Sequence, residues 1–133
     1  MKMLDVFLNY ACQAKCPFCF NPELTPELIR WKLDLKTVAH RLLEGRKDGF
    51  QGVTFSGGEV TLLKELPAML LAAKKSGYEK IGVISNGLLM SENTYLDSLL
   101  DAGMNFTCIS IHGSTAALHD KMVRVPGRAS TAA

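Results

Sequence analysis

Three of the chain's four cysteines fall within eight positions, Cys12, Cys16 and Cys19 in the stretch ACQAKCPFCF, and Cys108 lies far downstream. Clustered thiols are metal ligands in their thiolate form. A disulfide uses two of them, and a structural zinc site takes four ligands. A four-iron, four-sulfur cube is held at its four iron corners, usually by four thiolates. Three thiolates leave one iron open, able to chelate a substrate or cofactor directly and pass it an electron. Zinc remains a reading if His112, His119 or Cys108 supplies a fourth ligand. Cys108, mid-strand between Thr107 and Ile109, reads instead as a small buried hydrophobe.

The elements that must position these thiols follow from the apolar pattern. MLDVFLNY (3–10) is a short apolar run that suits a buried strand. After a loop, Leu35, Val38, Ala39, Leu42 and Leu43 recur at helical spacing, with Asp34 as N-cap and Gly49 as the stop. GVTF (52–55) is a second strand and runs into the turn Ser56-Gly57-Gly58-Glu59. Residues 66–77 form a second helix, with Pro67 in its first turn and Gly77 behind Lys74 and Lys75 at its end. KIGVIS (80–85) is a third strand, ending in Asn86-Gly87. A third helix spans 91–103, with Ser91 as cap and Gly103 as stop. NFTCISI (105–111) is a fourth strand, and a short helix follows around Thr115 to Met122.

Alternating strands and helices predict an α/β fold with a parallel sheet and right-handed crossovers. The strands are too apolar for a wet face. Function in such folds gathers at the C-terminal ends of the strands. The cysteines, Gly57-Gly58-Glu59, Asn86-Gly87 and the group Ser110, His112 and Gly113 all lie there. A full eight-unit barrel takes about 250 residues, or ~31 per unit. The 133 residues therefore supply about four parallel strand–helix units, a partial (β/α) barrel. The expectation is one domain over 1–133, the N-terminal part of a larger barrel, whose last strand has an unpaired edge and favours self-association.

Composition narrows the partners. The chain is 47% hydrophobic and 21% charged, with a net charge of +2, the profile of a globular domain with one core. The basic residues are scattered, so no nucleic-acid face is expected. No apolar stretch reaches the ~20 residues that cross a bilayer. The N-terminus carries Asp5 and Asn9 inside its apolar segment and reads as a strand, not a signal peptide. A cytoplasmic protein is expected, and in a reducing compartment clustered cysteines bind metal or catalyse rather than form disulfides.

Cys12-Gln-Ala-Lys-Cys16-Pro-Phe-Cys19 resembles the CxxxCxxC motif of the radical S-adenosylmethionine (radical SAM) superfamily. The resemblance continues in order through Ser56-Gly57-Gly58-Glu59, Ser85-Asn86-Gly87, Ser110-Ile111-His112-Gly113, and His119-Asp120 with Arg124 and Gly127. Cys19-Phe20-Asn21-Pro22 is similar to the branch of molybdenum-cofactor biosynthesis protein A and pyrroloquinoline-quinone-type peptide-modifying enzymes. The resemblance implies the N-terminal part of a six-unit radical SAM core carrying a [4Fe–4S] cluster and SAM. Reductive cleavage of SAM would give a 5′-deoxyadenosyl radical for hydrogen abstraction from a small-molecule or peptide substrate. The electron would come from a reductant such as flavodoxin or ferredoxin.

The same resemblance implies the residue roles. Cys12, Cys16 and Cys19 would ligate iron, and Phe18 would lie near the adenine. Gly57 and Gly58 would let the backbone pass close to a ligand, and Glu59 would help hold the SAM amino group. Relatives commonly have proline after this glutamate; here it is Val60. Asn86 would orient the methionine or ribose, its alternative being a turn residue ahead of Gly87. Ser110 would bond the ribose, and Arg124 would pair with the SAM carboxylate. Trp31 could cover the cluster, while His40 reads as surface. A zinc-binding α/β module and a cluster-binding fragment without catalysis are the alternatives.

Overall fold

The structure, a computed structural model, describes residues 1–12, 25–111 and 113–123. Four parallel strands, β1 (Met3–Phe7), β2 (Gly52–Ser56), β3 (Lys80–Ser85) and β4 (Phe106–Ile109), form one sheet in the order β1-β2-β3-β4. The connections carry helices α1 (Pro26–Arg30), α2 (Leu35–Lys47), α3 (Leu66–Lys75) and α4 (Asn93–Asp101), and α5 (Ala116–Val123) follows β4. This is the expected open arc of a (β/α) barrel.

Each expected helix forms for a local reason. Thr37 donates its backbone N–H to the Asp34 carboxylate at 2.7 Å, so Asp34 caps α2. Gly49 and Gly77 adopt positive φ just beyond α2 and α3. Ser91 does not cap α4. It ends a 3₁₀ turn, Leu89–Ser91, and its hydroxyl donates to the Leu88 carbonyl at 2.7 Å. Glu92 takes the N-cap position without a side-chain hydrogen bond. The additional helix α1 starts from Thr25, which accepts from the Leu28 N–H at 3.2 Å, with Pro26 as its first residue.

The core lies on one face of the sheet. Val6, Val53, Phe55, Ile81 and Val83 are buried there with Leu66, Met69, Leu70 and Ala73 of α3 and Val38 and Leu42 of α2. The buried stripe of α2 is narrower than its apolar pattern. Leu35 and Leu43 are 38% and 54% exposed, because the helix turns Val38, Leu42 and Gly45 inward. A side chain at Gly45 would meet Tyr78 and Leu4, and the Tyr78 hydroxyl donates to the Leu42 carbonyl at 2.7 Å.

The other face is wetter than the apolar strands imply. Asp5 and Cys108 are exposed, and Ile84 is 43% exposed. Among the described residues helices cover one side of the sheet, and the second side is the one that a closed barrel would enclose. Cys108 is therefore not a core residue, and β4 has no strand on its outer side among the described residues.

Phe55, fully buried at the centre of the covered face, should carry more stability than any surface position. Phe55→Ala is expected to lower the urea-unfolding free energy by about 3–5 kcal/mol. Leu43→Ala should change it by no more than about 0.5 kcal/mol.

Candidate functional site at the strand ends

The rim at the C-terminal ends of β1, β2 and β3 is tied together by one residue. The backbone N–H of Glu59 donates to the Ala11 carbonyl at 2.8 Å. Its own carbonyl accepts from the Asn9 side-chain amide at 3.0 Å. Its carboxylate accepts from the Thr61 hydroxyl at 2.5 Å, the Ser85 hydroxyl at 2.7 Å and the Asn86 N–H at 3.0 Å. Glu59 is 1% exposed. Its carboxylate faces donors from the ends of β2 and β3, and its main chain adds the segment after β1, so the one residue joins three strand ends.

Burial pushes the Glu59 carboxyl above its ordinary value, and the hydrogen bonds from Thr61, Ser85 and Asn86 pull back part of that shift. Nearby, the Tyr95 hydroxyl donates to the Thr61 carbonyl at 3.2 Å. Its pKa is pushed up to about 12 by burial and, second, by the negative charge of Glu59. Val60, in the place of the proline common among relatives, is fully buried at the start of a 3₁₀ turn, Val60–Leu62, so packing holds the turn.

Gly57 and Gly58 do permit a close approach, and what approaches is the segment leading into the cysteine loop. Gly58 donates to the Asn9 carbonyl at 2.7 Å. A Cβ on Gly57 would come closer than 3.0 Å to Asn9, and one on Gly58 closer than 3.0 Å to the carbonyl oxygens of Tyr10 and Ala11. Apart from the Asn9 side-chain oxygen beside Gly57, these are backbone atoms with no rotamer to move aside. Residues 9–11 therefore lie directly against the Gly-Gly turn, which fixes where Cys12 starts.

Cys12 is half-buried and accepts a hydrogen bond from the Asn86 side-chain amide at 3.9 Å between nitrogen and sulfur. Asn86 also closes a turn, accepting from the Leu88 N–H at 3.1 Å. The turn role and the site role thus coexist in one side chain. Ser110 extends the sheet, donating its N–H to the Ser85 carbonyl at 3.2 Å. Cys12, Gly57, Gly58, Glu59 and Asn86 converge, with Ser110 at the neighbouring strand end. Cys16, Phe18, Cys19, His112 and Arg124 lie outside the described residues.

Three contributors were given no site role by the sequence reading. Asn9, 1% exposed, binds the Glu59 carbonyl, and its side-chain oxygen is buried without a hydrogen-bond partner among the described residues. Ser85 and Thr61 hold the carboxylate. A polar residue at the end of an apolar run is the signal that Asn9 and Ser85 share; Thr61, inside the turn Val60–Leu62, carries no such signal. Trp31 is 41% exposed and packs with Tyr10 and Phe7, ring centroids 5.4 and 6.4 Å away.

The fold and this rim define a class, and comparison with known proteins agrees. The family model of the radical SAM superfamily matches residues 6–131, and the chain belongs to that superfamily, whose members use a [4Fe–4S] cluster and SAM. It is 30% identical over 125 residues to a probable GTP 3′,8-cyclase of Saccharolobus solfataricus, covering 93% of this chain and 38% of that protein. It is 34% identical over 117 residues to a PqqA peptide cyclase of Rhodopseudomonas palustris, covering 86% of this chain and 30% of that one. The chain thus spans about a third of the length of these relatives.

Two solved structures share the fold. Streptococcus suis SuiB bound to the precursor peptide SuiA superposes with a TM-score of 0.79 at 21% identity, over 95% of this chain and 28% of that one. AnSMEcpe with bound AdoMet superposes with a TM-score of 0.66 at 17% identity, over 91% and 35%. No helix among the described residues is long and apolar enough to cross a membrane.

A raised carboxyl makes stability depend on pH. The folded state holds the Glu59 proton more tightly than the unfolded chain, whose value is near 4.5. The stabilisation is complete below that value and is lost as pH rises through the higher folded one. Glu59→Gln, which cannot ionise, should gain on the wild type as pH rises across that window in paired urea titrations. A difference that stays flat with pH would contradict the shift.

Proposed function

We propose that the chain is the N-terminal core part of a radical SAM enzyme and that Cys12, Cys16 and Cys19 ligate a [4Fe–4S] cluster whose fourth iron takes SAM. The observation that carries the reading is the Asn86 amide aimed at the Cys12 sulfur, at a rim where Glu59 joins three loops. A sulfur held beside an N–H donor fits a cluster ligand, since hydrogen bonds to sulfur are one means of tuning such clusters. The buried oxygen of Asn9 beside Gly57, without a hydrogen-bond partner among the described residues, likewise fits a rim built to accept a donor.

When bound, cluster and SAM supply one-electron cleavage of the sulfonium and a radical that abstracts hydrogen from the substrate. The chain's own residues bind and orient. Gly57 and Gly58 seat the start of the cysteine loop, and Asn86 holds the first sulfur. Glu59 acts on SAM through the frame it ties, its carboxylate oxygens being engaged. Ser110 stands at the ribose side, Phe18 beside the adenine and Arg124 against the SAM carboxylate. The substrate is a small molecule or a peptide; a PqqA peptide cyclase among the relatives and a peptide-bound structural neighbour support the peptide. A flavodoxin or ferredoxin supplies the electron, in the cytoplasm. The open edge of β4 favours self-association.

Anaerobic reconstitution with iron and sulfide should give a brown protein with a broad blue–violet band, absent from the Cys12/Cys16/Cys19→Ala triple variant. Dithionite and SAM should then release 5′-deoxyadenosine. Stoichiometric zinc uptake with no iron sinks the reading, and a cluster without SAM cleavage leaves a binding fragment. In a redox titration, Asn86→Ala should move the cluster to a more negative potential, because the lost N–H no longer stabilises the reduced form.

A further inference from the structure

The open face of the sheet is not uniform. At the N-terminal end of the strands, Met3 lies across Gly52 and the Phe106 ring lies across Gly82, where a Cβ would leave them no room. Lys80, also at that end, places its ammonium 4.8 Å from the Phe106 ring centroid. A floor is thereby filled, and the Lys80 cation is engaged with an aromatic face.

Asp5 stands on the same face one residue pair further along β1, by the strand period of two. It is exposed, and the Ser56 hydroxyl donates to one of its oxygens at 3.0 Å. It has no ion-pair partner among the described residues. The next residue on that face toward the rim is Phe7, whose ring packs 5.0 Å from Tyr10, and Tyr10 packs 5.4 Å from Trp31. A carboxylate without a counter-cation, followed by an aromatic group, is the chemistry that receives an organic cation. The carboxylate supplies charge-assisted hydrogen bonds, and the rings supply π-faces. A polyphosphate in the same place would meet like charge at Asp5.

We infer that this face is the substrate subsite and that it takes a peptide segment bearing a Lys or Arg side chain, seated on Asp5 and the Phe7–Tyr10–Trp31 wall, rather than a nucleoside triphosphate. The inference rests on the radical SAM reading of the rim, because the subsite faces the space that such a rim would serve. Asp5 and Ser56 set which substrate lies there, while the strand-end residues hold the cofactors.

The test is selection from a random-peptide phage library on the reconstituted, SAM-bound protein. The recovered pool should be enriched in Lys and Arg, and on Asp5→Lys the enrichment should shift to Asp and Glu. A basic peptide from the wild-type pool should bind Asp5→Asn about tenfold or more weakly, the loss of one charge-assisted contact. Pools with no basic enrichment, pools that Asp5→Lys does not change, or saturable GTP binding to the wild type in equilibrium dialysis would each overturn the inference. Cluster absorbance and SAM binding are read in the same samples. Their absence from the wild type would overturn the radical SAM reading instead.

Discussion

The rim depends on one buried carboxylate. Glu59 is held by donors from Thr61, Ser85 and Asn86, while its main chain holds Asn9 and Ala11. A buried ionisable group is costly unless its hydrogen bonds are made, and here the carboxylate's partners come from the ends of β2 and β3, while the Glu59 main chain adds the segment after β1. The loop bearing Cys12 cannot move off the Gly-Gly turn without breaking the Asn9 and Ala11 bonds. The Asn86 loop cannot move without exposing the carboxylate. The position of Cys12, the Asn86 side chain and the Gly-Gly turn are thus set by the same contacts.

The parallel sheet explains why that arrangement sits where it does. Helices packed on one face aim all four strands the same way, so their C-terminal ends share one edge. The opposite face stays open and carries Asp5 and the aromatic wall. On the proposed reading, separation of the two regions would let one scaffold hold a common cofactor chemistry at the rim and vary what is recognised below it. That logic suits a superfamily in which relatives at 30% and 34% identity bear the names of a nucleotide cyclase and a peptide cyclase.

Much of the fold was legible because its signals are local. Asp34 before α2, Gly49 behind it and Gly77 behind α3 state their own boundaries, and four short β-rich runs mark the strands, although the runs 3–10 and 105–111 extend past strands that end at Phe7 and Ile109. The Gly57-Gly58-Glu59 turn was legible as a site feature, but its contacts were not. A sequence does not say that the glycines are crowded by Asn9, Tyr10 and Ala11, nor that Glu59 turns inward, because those partners lie about fifty or about twenty-six positions away along the chain. Cys108 and Ile84 misled for a related reason. Apolar side chains mark a strand, yet only the covering elements decide whether both of its faces are dry.

The central claim is that three thiolates leave an iron for SAM at this rim. Electron paramagnetic resonance of the reconstituted, dithionite-reduced protein tests it directly. The account predicts a reduced [4Fe–4S] signal whose g-values shift when SAM is added and which disappears from the triple cysteine variant. A signal indifferent to SAM, or one that survives loss of the three cysteines, would contradict it.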